Sequence, residues 1–373
     1  MILDLPLSRL RTRRSVKWAR YGPDVLPLWV AEMDTDNAEP IHEALQEMIE
    51  GSDTGYAWAG DLAEAYRDFA RTRWDLAVDP ARVYVLQDVM RAVLEVLAVG
   101  TAPGDGVVIN PPVYYPFFSV VRHIGRSVVE VPLQADQGRY RLDLAGLERA
   151  FRDGARAYLL CSPHNPVGRV WDHAELAAVV ELCTAHDVLL VVDEIHAPLV
   201  HDGQFVPVHT VPGAQDALSV MSASKTWNLA GLKCAVLVAA SERGWATVTS
   251  IGEEVGYGTG ILGVAAARAA FADGGPWLDQ LLVELDQRRH QLADLLAEQL
   301  PAVRYRPPEG TFLAWLDVSG LGLADPQAHF LRAGVALDPG EKFGTGGDGF
   351  VRLNFACSAD LLERAVTTMA ASL

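Results

Sequence analysis

The sequence predicts an α/β protein: a mostly parallel sheet with helices on both faces, followed by a smaller α+β domain. Three observations carry this. From Val83 onward, short apolar runs at 83–86, 107–110, 128–131, 157–161 and 188–193 alternate with helical periods, among them 90–99 and 174–186. Those runs are nearly continuous in apolar residues, broken only by Asn110, Glu130 and Asp193, rather than apolar at every second residue, which is the pattern of parallel strands buried on both faces. After Ala240 the scale changes: long helical periods at 262–271 and 276–300 are mixed with short strands, as in a separate α+β unit.

The elements follow in order. Residues 1–40 show little regular pattern and read as an arm packing on the small domain. Within it, Leu26-Pro27-Leu28-Trp29-Val30-Ala31-Glu32-Met33-Asp34 runs from apolar to acidic. Pro40 opens a helix at its first turn, with Ile41, Leu45, Met48 and Ile49 on one face and Gly51 closing it. Gly55-Tyr56-Ala57-Trp58 is a loop, and Asp61 is placed to cap a second helix reaching Trp74. Apolar runs at 217–221 and 234–240 flank Ser222-Ala223-Ser224-Lys225, read as a strand-to-strand loop. Residues 41–275 form the large domain. The small domain, 276–373, adds strands at 303–305, 311–317 and 350–355 and helices near 327–333 and from 359.

Of the 373 residues, 50% are hydrophobic and 21% charged, the composition of a globular protein with a large core. The net charge of −17 excludes non-specific binding to nucleic acid or an anionic membrane, because polyanions are repelled. Four separated cysteines without a CxxC pair read as core thiols of a reducing compartment. No uncharged apolar stretch approaches about 18 residues, and no signal-peptide core is visible, so a cytoplasmic protein is expected.

In parallel sheets ligands bind beyond the carboxyl ends of the strands, and polar clusters sit there. Asp88-Val89-Met90 begins a helix whose first amides can hold a phosphate, or is an N-cap alone. Tyr114 and Tyr115 can stack on a flat cofactor or simply pack. Pro163 and Pro166 bracket Asn165 and aim its amide. Asp193, ending an apolar strand, needs a partner that a protonated ring nitrogen would supply, or caps the next helix. With His196 it also suggests a metal, but no further ligand sits at metal spacing. Lys225 lies between apolar strands, where desolvation suits a lysine to Schiff-base chemistry. Arg352, inside an apolar strand, must pair with a carboxylate, either the protein's or a substrate's.

In this order and spacing, Ser162-Pro163-His164-Asn165-Pro166-Val167-Gly168, Asp193-Glu194-Ile195-His196, Ser222-Ala223-Ser224-Lys225, Lys233 and Arg352 resemble the class I/II aminotransferase superfamily of pyridoxal-phosphate enzymes. Ser15-Val16-Lys17-Trp18, the 26–34 segment, Gly55-Tyr56 and the 349–357 segment resemble its MalY/PatB-type branch, cystathionine β-lyase-like C–S lyases. The resemblance implies that Lys225 binds pyridoxal 5'-phosphate as a Schiff base and serves catalysis with Asp193 and Tyr56. Asp193 would pair with the pyridine nitrogen, Asn165 with the ring oxygen, and Tyr114 would stack on the ring. His196 stands where many aminotransferases have a tyrosine. Ser222, Ser224, Lys233 and the amides of Val89 and Met90 would hold the phosphate. Tyr56 would reach the phosphate of a neighbouring subunit, implying a homodimer with shared sites. Arg352, Ala31, Glu32 and Asn165 would bind the amino-acid substrate. The loop at Asp88 departs from the usual glycine-rich form, so its acid must cap the helix or point away. The activity implied is β-elimination from L-cystathionine or a related cysteine S-conjugate. The alternatives are an amino-acid aminotransferase, or a cofactor-binding regulator acting through a protein partner.

Overall fold

The computed structural model describes residues 1–136 and 138–373. Its centre is a seven-stranded sheet, in spatial order Val83–Leu86, Ala235–Ala239, Leu218–Met221, Leu189–Asp193, Ala155–Cys161, Gly106–Ile109 and Ser127–Glu130. All its neighbours pair in parallel except around Ala235–Ala239, which is antiparallel to both of its own. The mostly parallel α/β fold is therefore as expected. Side chains alternate across the pleat: Ala157, Leu159 and Cys161 pack into one apolar cluster, Tyr158 and Leu160 into another on the opposite face. Both faces need helices to exclude water. Val89–Gly100 joins the first cluster; Leu144–Arg152 and His173–Ala185 join the second.

A four-stranded antiparallel sheet lies toward the carboxyl terminus, ordered Arg304–Tyr305, Leu313–Asp317, Phe350–Asn354 and Asp338–Pro339. The helices Gly275–Gln299 and Ala359–Ala371 share its apolar core. The amino-terminal segment is more ordered than expected: it forms two short helices, Leu7–Leu10 and Val16–Ala19. A strand, Leu26–Pro27, pairs in parallel with Val335–Ala336.

Two local expectations change. Asp61 sits at the start of Leu62–Trp74 but makes no capping bond, because its carboxylate is engaged by the Arg268 guanidinium at 2.9 Å. Lys225 lies in a short helix, Ala223–Thr226, not an open loop; Ser222 caps it by accepting the Ser224 amide. No helix among the described residues is long and apolar enough to cross a membrane.

Candidate active site

The carboxyl ends of the parallel strands open into a cleft of ≈ 240 Å³. Each strand delivers its next residues there: Leu86 leads to Asp88, Val89 and Met90; Ile109 to Tyr114; Cys161 to Asn165; Asp193 ends its own strand with His196 three residues on; Met221 leads to Ser222, Ser224 and Lys225. Ala31 from the arm and Lys233 complete this part of the wall.

Lys225 Nζ donates to the carbonyl of Ala31 at 2.9 Å. Burial lowers its pKa to about 8, aided by the Arg352 guanidinium and opposed by Glu32 and Asp193. Asp193 moves the other way, up to about 7, because burial outweighs the Ile195 amide its carboxylate accepts and the Lys225 charge. The local turn is thus capped, as one reading of Asp193 required, while the same side chain lines the cleft. His196 is buried and pushed down to about 3, so it is neutral at physiological pH; its Nδ1 meets no protein partner. Burial also raises the Tyr114 phenol, which keeps it protonated as part of the wall.

Asp88 accepts the Arg91 amide at 2.8 Å, so it caps Val89–Gly100 as its departure from a glycine-rich loop required. Its other oxygen takes Lys233 Nζ at 3.2 Å. Helix geometry leaves the leading amides of Val89 and Met90 without intrahelical acceptors. Ser222 lines the cleft, but its hydroxyl donates to the Cys234 carbonyl at 2.6 Å; it must rotate before it can donate to a phosphate.

Three candidates are placed differently from expectation. Arg352 is 2% exposed, and Nη2 already meets Asp338 Oδ2 at 2.8 Å and the Trp29 carbonyl at 3.1 Å. The protein supplies Asp338 as its carboxylate partner. Nη1 donates to Asn165 Oδ1, a cleft residue, at 3.0 Å; Nε is buried without a protein partner, and Arg352 stands behind the cleft lining rather than in it. The Glu32 side chain turns away to accept the Ser15 hydroxyl at 2.5 Å; only its charge reaches Lys225. Tyr56 is 94% exposed and absent from the cleft of its own chain.

Asp338 is the residue the sequence reading missed. The signal was an acid directly after apolar Val335-Ala336-Leu337, but its pairing depends on the antiparallel register that sets Asp338 against Arg352. Cys161 was noted only as a core thiol, yet it also lines the cleft, opposite Asp193 in the ladder.

The model of the family Aminotransferase class I and II matches residues 23–369. A relative from Mycobacterium leprae is 44% identical over 395 residues, covering 99% of this chain and 97% of its own. Cystathionine beta-lyase PatB of Bacillus subtilis is 35% identical over 387 residues, covering 100% of both. Cystalysin from Treponema denticola, solved with a pyridoxal 5'-phosphate cofactor, superposes with a TM-score of 0.92 at 28% identity, covering 100% of this chain and 99% of its own. This chain belongs to the class I and II aminotransferase family of pyridoxal-phosphate enzymes.

Proposed function

We propose that this chain is a pyridoxal-phosphate-dependent carbon–sulfur β-lyase, splitting L-cystathionine or a related cysteine S-conjugate into a thiol, pyruvate and ammonia. The observation that carries the reading is the bond from Lys225 to the Ala31 carbonyl. It sets the arm, the segment with the lyase-type sequence, directly on the reactive amine.

The residues fit the cofactor. Lys225 offers an amine of lowered pKa, Asp193 a buried carboxyl for the ring nitrogen, and Asn165 and His196 polar edges for the ring oxygen. Tyr114 supplies a ring wall. Val89, Met90, Ser224, Lys233 and a rotated Ser222 supply phosphate donors. Tyr56 adds one more donor from a second copy, making the active unit a homodimer. The same reading divides the chain into an arm (1–40), a cofactor-binding domain (41–275) and a small domain (276–373), working in the cytoplasm.

Pyridoxal phosphate supplies the electron sink that makes an amino acid's α-proton removable. Arg352 orients the α-carboxylate, with Asn165 fixing the guanidinium. Lys225 takes the α-proton at Nζ, which burial keeps close to its neutral form. Asp193 holds a proton at the ring nitrogen by charge. The β-carbon–sulfur bond then breaks, both electrons leaving with sulfur as thiolate. Hydrolysis of the remaining three-carbon fragment gives pyruvate and ammonia.

The test is acceptor-free turnover. The purified holoenzyme should release pyruvate and a thiol from L-cystathionine with no 2-oxo acid added. A strict requirement for an acceptor overturns the lyase reading in favour of amino transfer.

A further inference from the structure

Asp338 is 1% exposed and carries two cations. Arg352 Nη2 meets its Oδ2 at 2.8 Å, and Lys342 Nζ meets its Oδ1 at 3.2 Å. Arg352 is buried at one end of this bridge; Lys342, its side chain 52% exposed, stands at the other. Phe343 fills the space beside them: the Arg352 guanidinium lies 4.9 Å from its ring centroid, and the Tyr115 ring 5.6 Å away. Lys342 Nζ is 5.8 Å from the centre of that Tyr115 ring. Tyr115 in turn packs on Tyr114, a wall of the cleft, at 5.6 Å. Tyr115 thus links Tyr114, in the cleft wall, to Lys342.

We propose that Lys342 grips a second carboxylate, carried on the departing thiol part of the substrate, and so selects dicarboxylic thioethers over conjugates with an uncharged tail. The inference rests on the reading that Arg352 takes the α-carboxylate. Two cations sharing one buried carboxylate hold a surplus of positive charge, and the exposed one is free to add a ligand without losing its anchor. Asp338 orients both, so the distance between the two grips is set by the protein rather than by a flexible lysine stem. In a chain of net charge −17, a dicarboxylate is otherwise repelled, so a fixed local cation is needed for it to be admitted. Arg20, 5.3 Å from the Trp29 ring whose residue accepts Arg352 through its carbonyl, adds positive potential from the arm side.

The test is a pair of calorimetric titrations of the holoenzyme with adipate and with hexanoate, equal in length but carrying two and one carboxylates. The wild type should bind adipate about tenfold more tightly. In Lys342→Met that ratio should fall to near unity, and in Lys342→Arg it should persist. A wild type with no preference overturns the proposal. So does a Lys342→Met variant that keeps the preference, including the case where Arg20→Gln abolishes it instead. Because neither acid reacts, the ratio decides the grip of Lys342 on a second carboxylate whatever the turnover of cystathionine shows; failure of acceptor-free pyruvate release would strike the lyase reading and the placing of that carboxylate on a departing thiol, not the grip itself.

Discussion

Burial and the Arg352 guanidinium hold the Lys225 ammonium at a disadvantage, and the consequence is kinetic. Only the neutral amine attacks an aldehyde, so uptake of pyridoxal phosphate by the apoprotein should quicken as pH rises toward about 8 and level off above it. Below that value the free-amine fraction changes about tenfold per pH unit. The near-visible absorbance of the bound cofactor reports the rate, and a rate still climbing steeply at the pKa of an ordinary lysine would contradict the burial argument. Lys225→Ala should bind the cofactor without that band. The stability linkage has the same origin. The folded pKa lies below the unfolded one, so the buried ammonium weakens the apoprotein fully below about pH 8. That penalty disappears as pH rises through the interval up to 10.5, the value of an ordinary lysine. Asp193 acts with the opposite sign: its folded pKa, about 7, lies above 3.8, so its penalty is absent in acid and complete above about pH 7. The apoprotein should therefore gain stability from Lys225 only on the alkaline side, which denaturant melts across that range would follow.

At the scale of elements, the arm acts as a tie between Lys225 and the small sheet. Its consecutive carbonyls are all engaged: Trp29 by Arg352, Val30 by Asn354, Ala31 by Lys225, and Glu32 by Lys17. Lys17 and Asp34 lock it from behind, a fully buried pair at 2.8 Å joined by the Trp18 indole at 3.0 Å. Removing one partner leaves the other charge buried and uncompensated. Lys17→Met should therefore cost about 3–5 kcal/mol of unfolding free energy, and Lys17→Met combined with Asp34→Leu much less. Urea melts of the two proteins check this; equal losses in both would mean that the pair's packing, not its charge, holds the arm. Much of this region was readable as motif but not as contact. Ser15-Val16-Lys17-Trp18 and the 26–34 segment stood out in the sequence, yet nothing local says that three of the first four side chains turn onto Glu32 and Asp34. Asp61 failed for a related reason: a cap is a local bond, and a guanidinium 207 positions away competed for the same carboxylate.

At the scale of the molecule, Lys225, Asp193 and Asn165 were legible because a parallel sheet delivers its strand ends to one place, and each lies just past an apolar run. The Arg352–Asp338 pair was not, since it arises from strand pairing in the smaller sheet. Tyr56 poses the further problem that one chain does not contain its destination. It is 94% exposed and Trp58 84%, on a loop that leaves both rings outside the core. Large aromatic rings this exposed are the kind that association covers. If Tyr56 completes the phosphate site of a second copy, Tyr56→Ala and Lys225→Ala lie in different chains of each composite site. Each variant alone should be nearly inactive. Co-expressed, they should form mixed dimers in which one site receives an intact Lys225 from one chain and an intact Tyr56 from the other. Random pairing makes half of the dimers mixed, so about a quarter of wild-type sites should recover. Sites built within single chains recover nothing on mixing, since every chain then carries its own defect, and a co-expressed pair as inactive as its parents would remove Tyr56 from the catalytic assembly.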